Sequence, residues 1–179
     1  RIGYDDVEDY ESLFNFINLL KSTGVKTFII HARKAMLGKF TPKQNLNIPP
    51  LKYEMVYKLK KDFKDLEIII NGGISSVNEI KDHLNKVNGV MLGRSIYHSP
   101  YMLADIEREI FKNLDVPSRK DVIQELVPYV KKETEKGTRM NQIMRHTLGL
   151  FHGQAGSSFW KRYLSENMCV RDADVKKID

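Results

Sequence analysis

Hydrophobic side chains recur at two different spacings in the first part of the chain. Apolar residues repeat at helical spacing over 7–21 and again over 53–63, which predicts two amphipathic helices. Short apolar runs over 25–30, 67–70 and 90–92 predict buried strands. The run from Ile68 to Ile70 is not interrupted by charge and predicts a strand buried on both faces of a sheet. Helices that alternate with strands in this way predict βαβ units and a parallel sheet.

The pattern changes after residue 111, where no further strand is predicted. A polar linker over 113–117 precedes a helix capped by Ser118, and Pro128 is expected to kink that helix. A second helix should open at Thr138, and a last one should span about 157–167. We therefore expect an α/β domain over 1–111 and an all-α domain over 112–179.

Glycine turns follow the last two predicted strands. Gly72 and Gly73 end one strand, and Ser76 then begins a predicted helix with capping-box spacing. Gly93 and Arg94 end the next strand. Backbone N–H groups of glycines approach an anion closely, a helix N-terminus adds donors, and an arginine adds charge. The turns therefore predict a phosphate site, although glycines here could also serve only to make tight turns.

Basic and polar residues follow the first predicted strand. His31 and Arg33 come directly after it, at the position where α/β barrels carry their active sites. The simpler interpretation of His31 is a strand-end histidine bonded to backbone. The connection over 35–51, which carries Lys43, is long enough to suggest a functional loop.

The charge distribution favours an anionic partner. The net charge is +6, and Lys136–Ser165 contains five Lys or Arg but no Asp or Glu. Because Trp160 and Tyr163 accompany these cations, the segment suits nucleic acid better than a membrane. A solvated helical face would give the same composition.

Other features of the sequence limit the class of protein to which the chain can belong and the compartment in which it can act. Cys169 is the only cysteine, which excludes an internal disulfide and indicates a reducing compartment. No apolar run is long enough to span a bilayer. The first residue is Arg1 rather than Met, so we expect a fragment of a longer protein.

Several motifs, in this order, resemble those of the tRNA-dihydrouridine synthases, in particular the bacterial A-type branch that acts on the tRNA D-loop. The motifs are His31-Ala-Arg-Lys, Thr41-Pro-Lys-Gln-Asn, Ile48-Pro-Pro-Leu, Asn71-Gly-Gly-Ile, Gly89-Val-Met-Leu-Gly-Arg, Arg145-His-Thr-Leu-Gly-Leu-Phe, Gly153-Gln-Ala-Gly and Leu164-Ser-Glu-Asn. The resemblance extends from Arg1 to about Asn167.

The resemblance implies an FMN-binding (β/α)8 TIM barrel followed by a helical tRNA-binding domain. This chain would supply strands six to eight of the barrel and the helical domain. NADPH would reduce FMN, and the flavin would reduce a uridine C5=C6 bond in tRNA. The family's catalytic cysteine would lie in the missing N-terminal half, so this chain has no catalytic residue of its own and should be inactive alone. A cytoplasmic or organellar location and no metal are implied.

The resemblance also assigns site residues by position. Those implied for the cofactor are His31, Asn71, Gly72, Gly73, Gly93 and Arg94. Those implied for tRNA are Arg33, Lys43, Arg145, Lys161 and Arg162. Cys169 matches no family motif.

Two other functions are compatible with parts of the pattern. Another FMN barrel, such as a dihydroorotate dehydrogenase, would explain the glycine turns but not the basic helical part. A tRNA-binding module without catalysis would explain the basic part alone. A partial barrel of strands six to eight leaves two open sheet edges, through which the isolated chain should self-associate or which it should rearrange.

Overall fold

A three-stranded parallel sheet is the centre of the first part of the chain. The computed structural model describes residues 1–7 and 9–168. The strands are β1 (Thr27–His31), β2 (Glu67–Asn71) and β3 (Gly89–Met91), and they lie in the order β1-β2-β3. All pairs are parallel, as predicted. Because β2 lies between its neighbours, both β1 and β3 are edge strands within the described residues.

Four helices of the described residues accompany the sheet. They are α1 (Tyr10–Ser22), α2 (Pro42–Asn45), α3 (Tyr53–Asp62) and α4 (Val77–Leu84). The side chain of Asp9 caps α1 by accepting from Ser12 N. The predicted capping box of Ser76 is present at the start of α4. The short helix α2 was not predicted, and it divides a connection that we expected to be irregular.

The two faces of the sheet differ in burial. Phe28, Ile30, Ile68 and Ile70 share one face and are at most 7% exposed. Helix α3 packs against β2 on the sheet. Ile29 on the other face is 49% exposed. Ile69 on that face is only half-buried. The prediction that the strand over 68–70 is buried on both faces is therefore wrong for the described residues, which cover only one face of it.

The remaining described elements are helical. They are α5 (Arg94–His98), α6 (Met102–Ile106) with a π-helical turn over Glu107–Phe111, α7 (Arg119–Glu135), α8 (Met140–Met144) with a 3₁₀ turn over Arg145–Thr147, and α9 (Ser157–Asn167). Helix α7 includes Pro128 as one continuous element. The helix expected to open at Thr138 begins at Met140. No helix in the described ranges is both long and apolar enough to cross a membrane.

The chain divides between Gly93 and Arg94 into two compact units. The second unit has its own core, to which buried Val130, Met144 and Leu164 belong. Tyr101 packs against this core, and its hydroxyl donates to Pro117 O at 2.9 Å. The segment before Phe111 is thereby associated with the helices. The boundary between the units lies between residues 93 and 94, whereas the sequence predicted a domain border after residue 111. The border after residue 111 stays a prediction about the domains of the family.

Candidate functional site at the carboxyl ends of the strands

Polar side chains meet where β1 and β2 end. His31 is in register with Asn71, and Asn71 is in register with Met91. Partners in register on a parallel sheet point to the same side, which here is the open side that also carries Ile29. The N–H of Ala32 donates to Asn71 O at 2.9 Å and continues the pairing beyond the strands. The structure thus brings two of the predicted cofactor residues together on one face.

Gly72 gives the imidazole of His31 room to lie against the backbone. Gly72 has φ +117°, and a Cβ there would lie 2.5 Å from His31 Cδ2 and 2.9 Å from His31 Nε2. A side chain at this position would therefore meet both backbone strain and the imidazole. The positive φ and the close packing with His31 together favour glycine at position 72, and the sequence did not reveal that packing.

Gly73 has a different environment from Gly72. It has φ +74°, and a Cβ there would meet the side chains of Leu51 and Tyr53. Gly73 is exposed, and its N–H has no protein acceptor within the part of the chain that the structure describes. The Tyr53 hydroxyl donates to Gly72 O at 2.7 Å. The Gly73 N–H is thus a backbone donor that an anion could use.

The N-terminus of α4 is largely occupied by its own capping box. The Glu79 carboxylate accepts from Ser75 N at 2.7 Å and from Ser76 N at 3.0 Å, and Glu79 N donates to Ser76 Oγ at 3.2 Å. The hydrogen bond from Ser75 N is the main cause that lowers the pKa of Glu79. We expected this helix end to supply free donors, but these three N–H groups are already bonded.

Arg33 holds the loop that follows β1. Its guanidinium donates to Asn47 O at 3.2 Å and also to Pro49 O, while its Nε is buried without a partner among the described residues. The Arg1 guanidinium donates to Lys34 O at 2.6 Å in the same loop. Burial lowers the pKa of Arg1, and the nearby charge of Arg33 lowers it further. The assignment of Arg33 to tRNA stays a prediction.

The other predicted residues of this region are exposed. Lys43 projects from α2. Gly93 is exposed, and a Cβ there would meet nothing within 4 Å. Arg94 is exposed, directly follows Gly93 in the chain and begins α5. Backbone and charge at this second turn are therefore accessible to a ligand.

The second unit presents the predicted basic residues at its surface. Arg145, Lys161 and Arg162 are all exposed, and Arg145 Nε donates to His146 Nε2 at 3.3 Å. On α9, Phe159 is 61% exposed and stacks on Tyr163 with ring centroids 5.9 Å apart. Cations on a helix that also carries an exposed aromatic ring suit phosphate contact and base stacking.

Two further predictions concern Cys169 and metal binding. Cys169 lies outside the described residues. No cluster of His, Cys, Asp or Glu that could hold a metal ion occurs within residues 1–7 and 9–168.

The fold and site together define an α/β protein with polar groups and glycine turns at the carboxyl ends of parallel strands, the usual location of ligand sites in such sheets. The family model described as dihydrouridine synthase (Dus) matches residues 1–178. The chain belongs to this family, which confirms the resemblance drawn from its motifs.

Curated relatives are similar along nearly the whole chain. A tRNA-dihydrouridine(20/20a) synthase of Synechocystis is 45% identical over 97% of this chain and 52% of its own length. Proteins of the same name are 46% identical in Escherichia coli K12, over 52% of that protein, and 42% identical in Haemophilus ducreyi, over 55% of that protein. The chain spans about half the length of these relatives.

Proposed function

We propose that the protein to which this chain belongs is an FMN-dependent tRNA-dihydrouridine synthase. The chain would supply strands six to eight of its (β/α)8 barrel over 1–111 and its helical tRNA-binding domain over 112–179. Membership of the family and the names of its relatives support this activity. The remaining strands and the catalytic cysteine would come from the N-terminal half.

The strongest support for the proposal is the position of two polar side chains at the end of the sheet. His31 and Asn71 lie in register on the open face of the sheet, beside the Gly72–Gly73 turn. On this face Ile29 and Met91 are 49% and 40% exposed, although both are apolar. In a closed barrel this face would be the filled interior, and its carboxyl end would be the floor of the active site.

The residues present fit FMN. Gly73 offers a backbone N–H without a protein acceptor among the described residues, and Gly93 and Arg94 offer accessible backbone and charge. These groups, together with Asn71, would hold the phosphate, while His31 would contact the isoalloxazine ring. When bound, FMN supplies hydride transfer at the expense of NADPH. The role of this chain is to hold and orient the cofactor.

The second unit would bind the tRNA substrate. Lys161 and Arg162 on α9 are exposed, and Arg145 is exposed in the 3₁₀ turn that follows α8. Such cations contact phosphates and position the nucleic acid without reading its sequence. Because a stacked uridine cannot reach a flavin, the target base in the D-loop must be turned out of the tRNA fold.

Equilibrium titration of the full-length protein, freed of flavin, with FMN tests the cofactor site. We expect saturable quenching of flavin fluorescence and affinity about 10- to 100-fold weaker in Arg94→Ala, as for loss of a charged phosphate contact. Lys120→Ala, which removes an exposed charge from α7, should leave the affinity unchanged. Absence of FMN binding would instead favour a tRNA-binding module without catalysis, which the separate core of the second unit could support.

A further inference from the structure

Tyr53 connects the start of α3 to the glycine turn of the site. Its hydroxyl donates to Gly72 O at 2.7 Å, and the hydrogen bond is partly buried. The residue before it is also tied to the sheet, because Lys52 N donates to Ala32 O at 2.8 Å. The start of α3 is therefore bonded through Lys52 to the residue that follows β1 and through Tyr53 to the turn after β2.

The ring of Tyr53 is held independently of that hydrogen bond. It stands edge-on to the imidazole of His83, with ring centroids 4.6 Å apart and an interplanar angle of 74°. His83 is 5% exposed and shares a 2.7 Å hydrogen bond with the Tyr57 hydroxyl through Nδ1. The edge contact with His83 of α4 thus sets the direction in which the Tyr53 hydroxyl points.

The turn that Tyr53 contacts has little conformational preference of its own. Gly72 and Gly73 both have positive φ, and two successive glycines can adopt many other conformations. A hydrogen bond to Gly72 O fixes the plane of the peptide that joins them. Because this peptide is planar and trans, the Gly73 N–H points opposite to the Gly72 carbonyl, away from the Tyr53 hydroxyl.

We infer that Tyr53 is a positioning residue that fixes the Gly73 N–H for the phosphate of the cofactor. The inference rests on the proposed function, in which this turn binds FMN. Tyr53 acts through the Gly72–Gly73 peptide and does not itself contact the cofactor. Without its hydroxyl the turn regains alternative peptide orientations, so the donor is less often available to an anion.

Helix α3 provides a matched pair of variants. Tyr53→Phe and Tyr57→Phe each remove one hydroxyl from a ring that lies near His83, but only Tyr53 bonds to Gly72. Flavin-free full-length protein is titrated with FMN and with riboflavin, which has the same ring system but no phosphate. Thermal unfolding of each variant is measured in parallel.

Tyr53→Phe should weaken FMN binding about 3- to 10-fold, the effect of one ordinary hydrogen bond, and leave riboflavin binding unchanged. Tyr57→Phe should leave both affinities unchanged even though it leaves the buried His83 without its partner and lowers thermal stability. A purely structural role for Tyr53 would not produce this difference between the two flavins.

Three results would overturn the inference. They are unchanged FMN affinity in Tyr53→Phe, an equal loss for FMN and riboflavin, and the same FMN loss in both variants. Failure of the unaltered protein to bind FMN would reject the proposed function itself, and this inference with it. If Tyr53→Phe does not fold, the inference is tested by the NMR amide resonance of Gly73 in the unaltered protein. That resonance should shift when FMN binds and not when riboflavin binds. No shift with FMN would contradict the inference.

Discussion

The close approach of His31 to Gly72 predicts a large stability cost for Gly72→Ala. A Cβ would lie 2.5 Å from His31 Cδ2, and the backbone at φ +117° is unfavourable for alanine. Overpacking costs about 1–3 kcal/mol, and a residue with a side chain in a left-handed conformation costs about 1–2 kcal/mol. We therefore expect the free energy of unfolding to fall by about 2–5 kcal/mol.

Two controls separate the causes of that loss. Gly24 has φ +96° with nothing within 4 Å of a Cβ, so Gly24→Ala should show only the backbone cost of about 1–2 kcal/mol. In a His31→Ala background, Gly72→Ala should lose the part of its steric cost that is due to the imidazole, while the contact with Leu51 Cδ2 at 3.1 Å remains. A double-mutant cycle measures that difference. Urea unfolding followed by circular dichroism gives each value. A cost for Gly72→Ala no greater than that for Gly24→Ala would refute the proposed packing of His31.

Three further predictions follow from the described residues. Burial lowers the pKa of His83 below 6.5, so the folded state disfavours its protonation. The free energy of unfolding should therefore fall as the pH drops below about 6.5, and it should fall less in His83→Gln. Urea unfolding at a series of pH values measures both. Charge reversal of Lys161 and Arg162 to Glu should weaken tRNA binding and reduce the salt dependence of the tRNA affinity, which filter binding measures. The same change at exposed Lys131 and Lys132 on α7 should have little effect on that affinity. The isolated chain should self-associate through its open sheet edges, and a monodisperse monomer in light scattering would contradict this.

Local sequence signals predicted much of the fold correctly. The Ser76 capping box begins α4 because its partner Glu79 is three residues away, and the same arrangement begins α7 at Ser118. The three parallel strands and the helical character after residue 111 also follow from short-range spacing. These features depend on neighbours in the chain, which a single sequence displays directly.

Features that depend on distant partners were not predicted. Ile29 belongs to an apolar run, and such a run looks the same whether or not the chain covers both of its faces. The bonds from Arg33 to the loop join residues 14 and 16 positions apart. Tyr53 at the start of a helix resembles any core aromatic residue, and its bond to Gly72 becomes visible only when α3 is placed beside β2.

The most direct test of the central proposal is dihydrouridine formation in tRNA. Unmodified tRNA is incubated with the full-length protein, FMN and NADPH, and its nucleosides are then analysed by mass spectrometry. We predict dihydrouridine in the D-loop with the full-length protein and none with residues 1–179 alone, because the catalytic cysteine would lie outside them. A full-length protein that binds FMN and tRNA but forms no dihydrouridine would contradict the proposed function, and product formed by the isolated chain would contradict the predicted need for the N-terminal half.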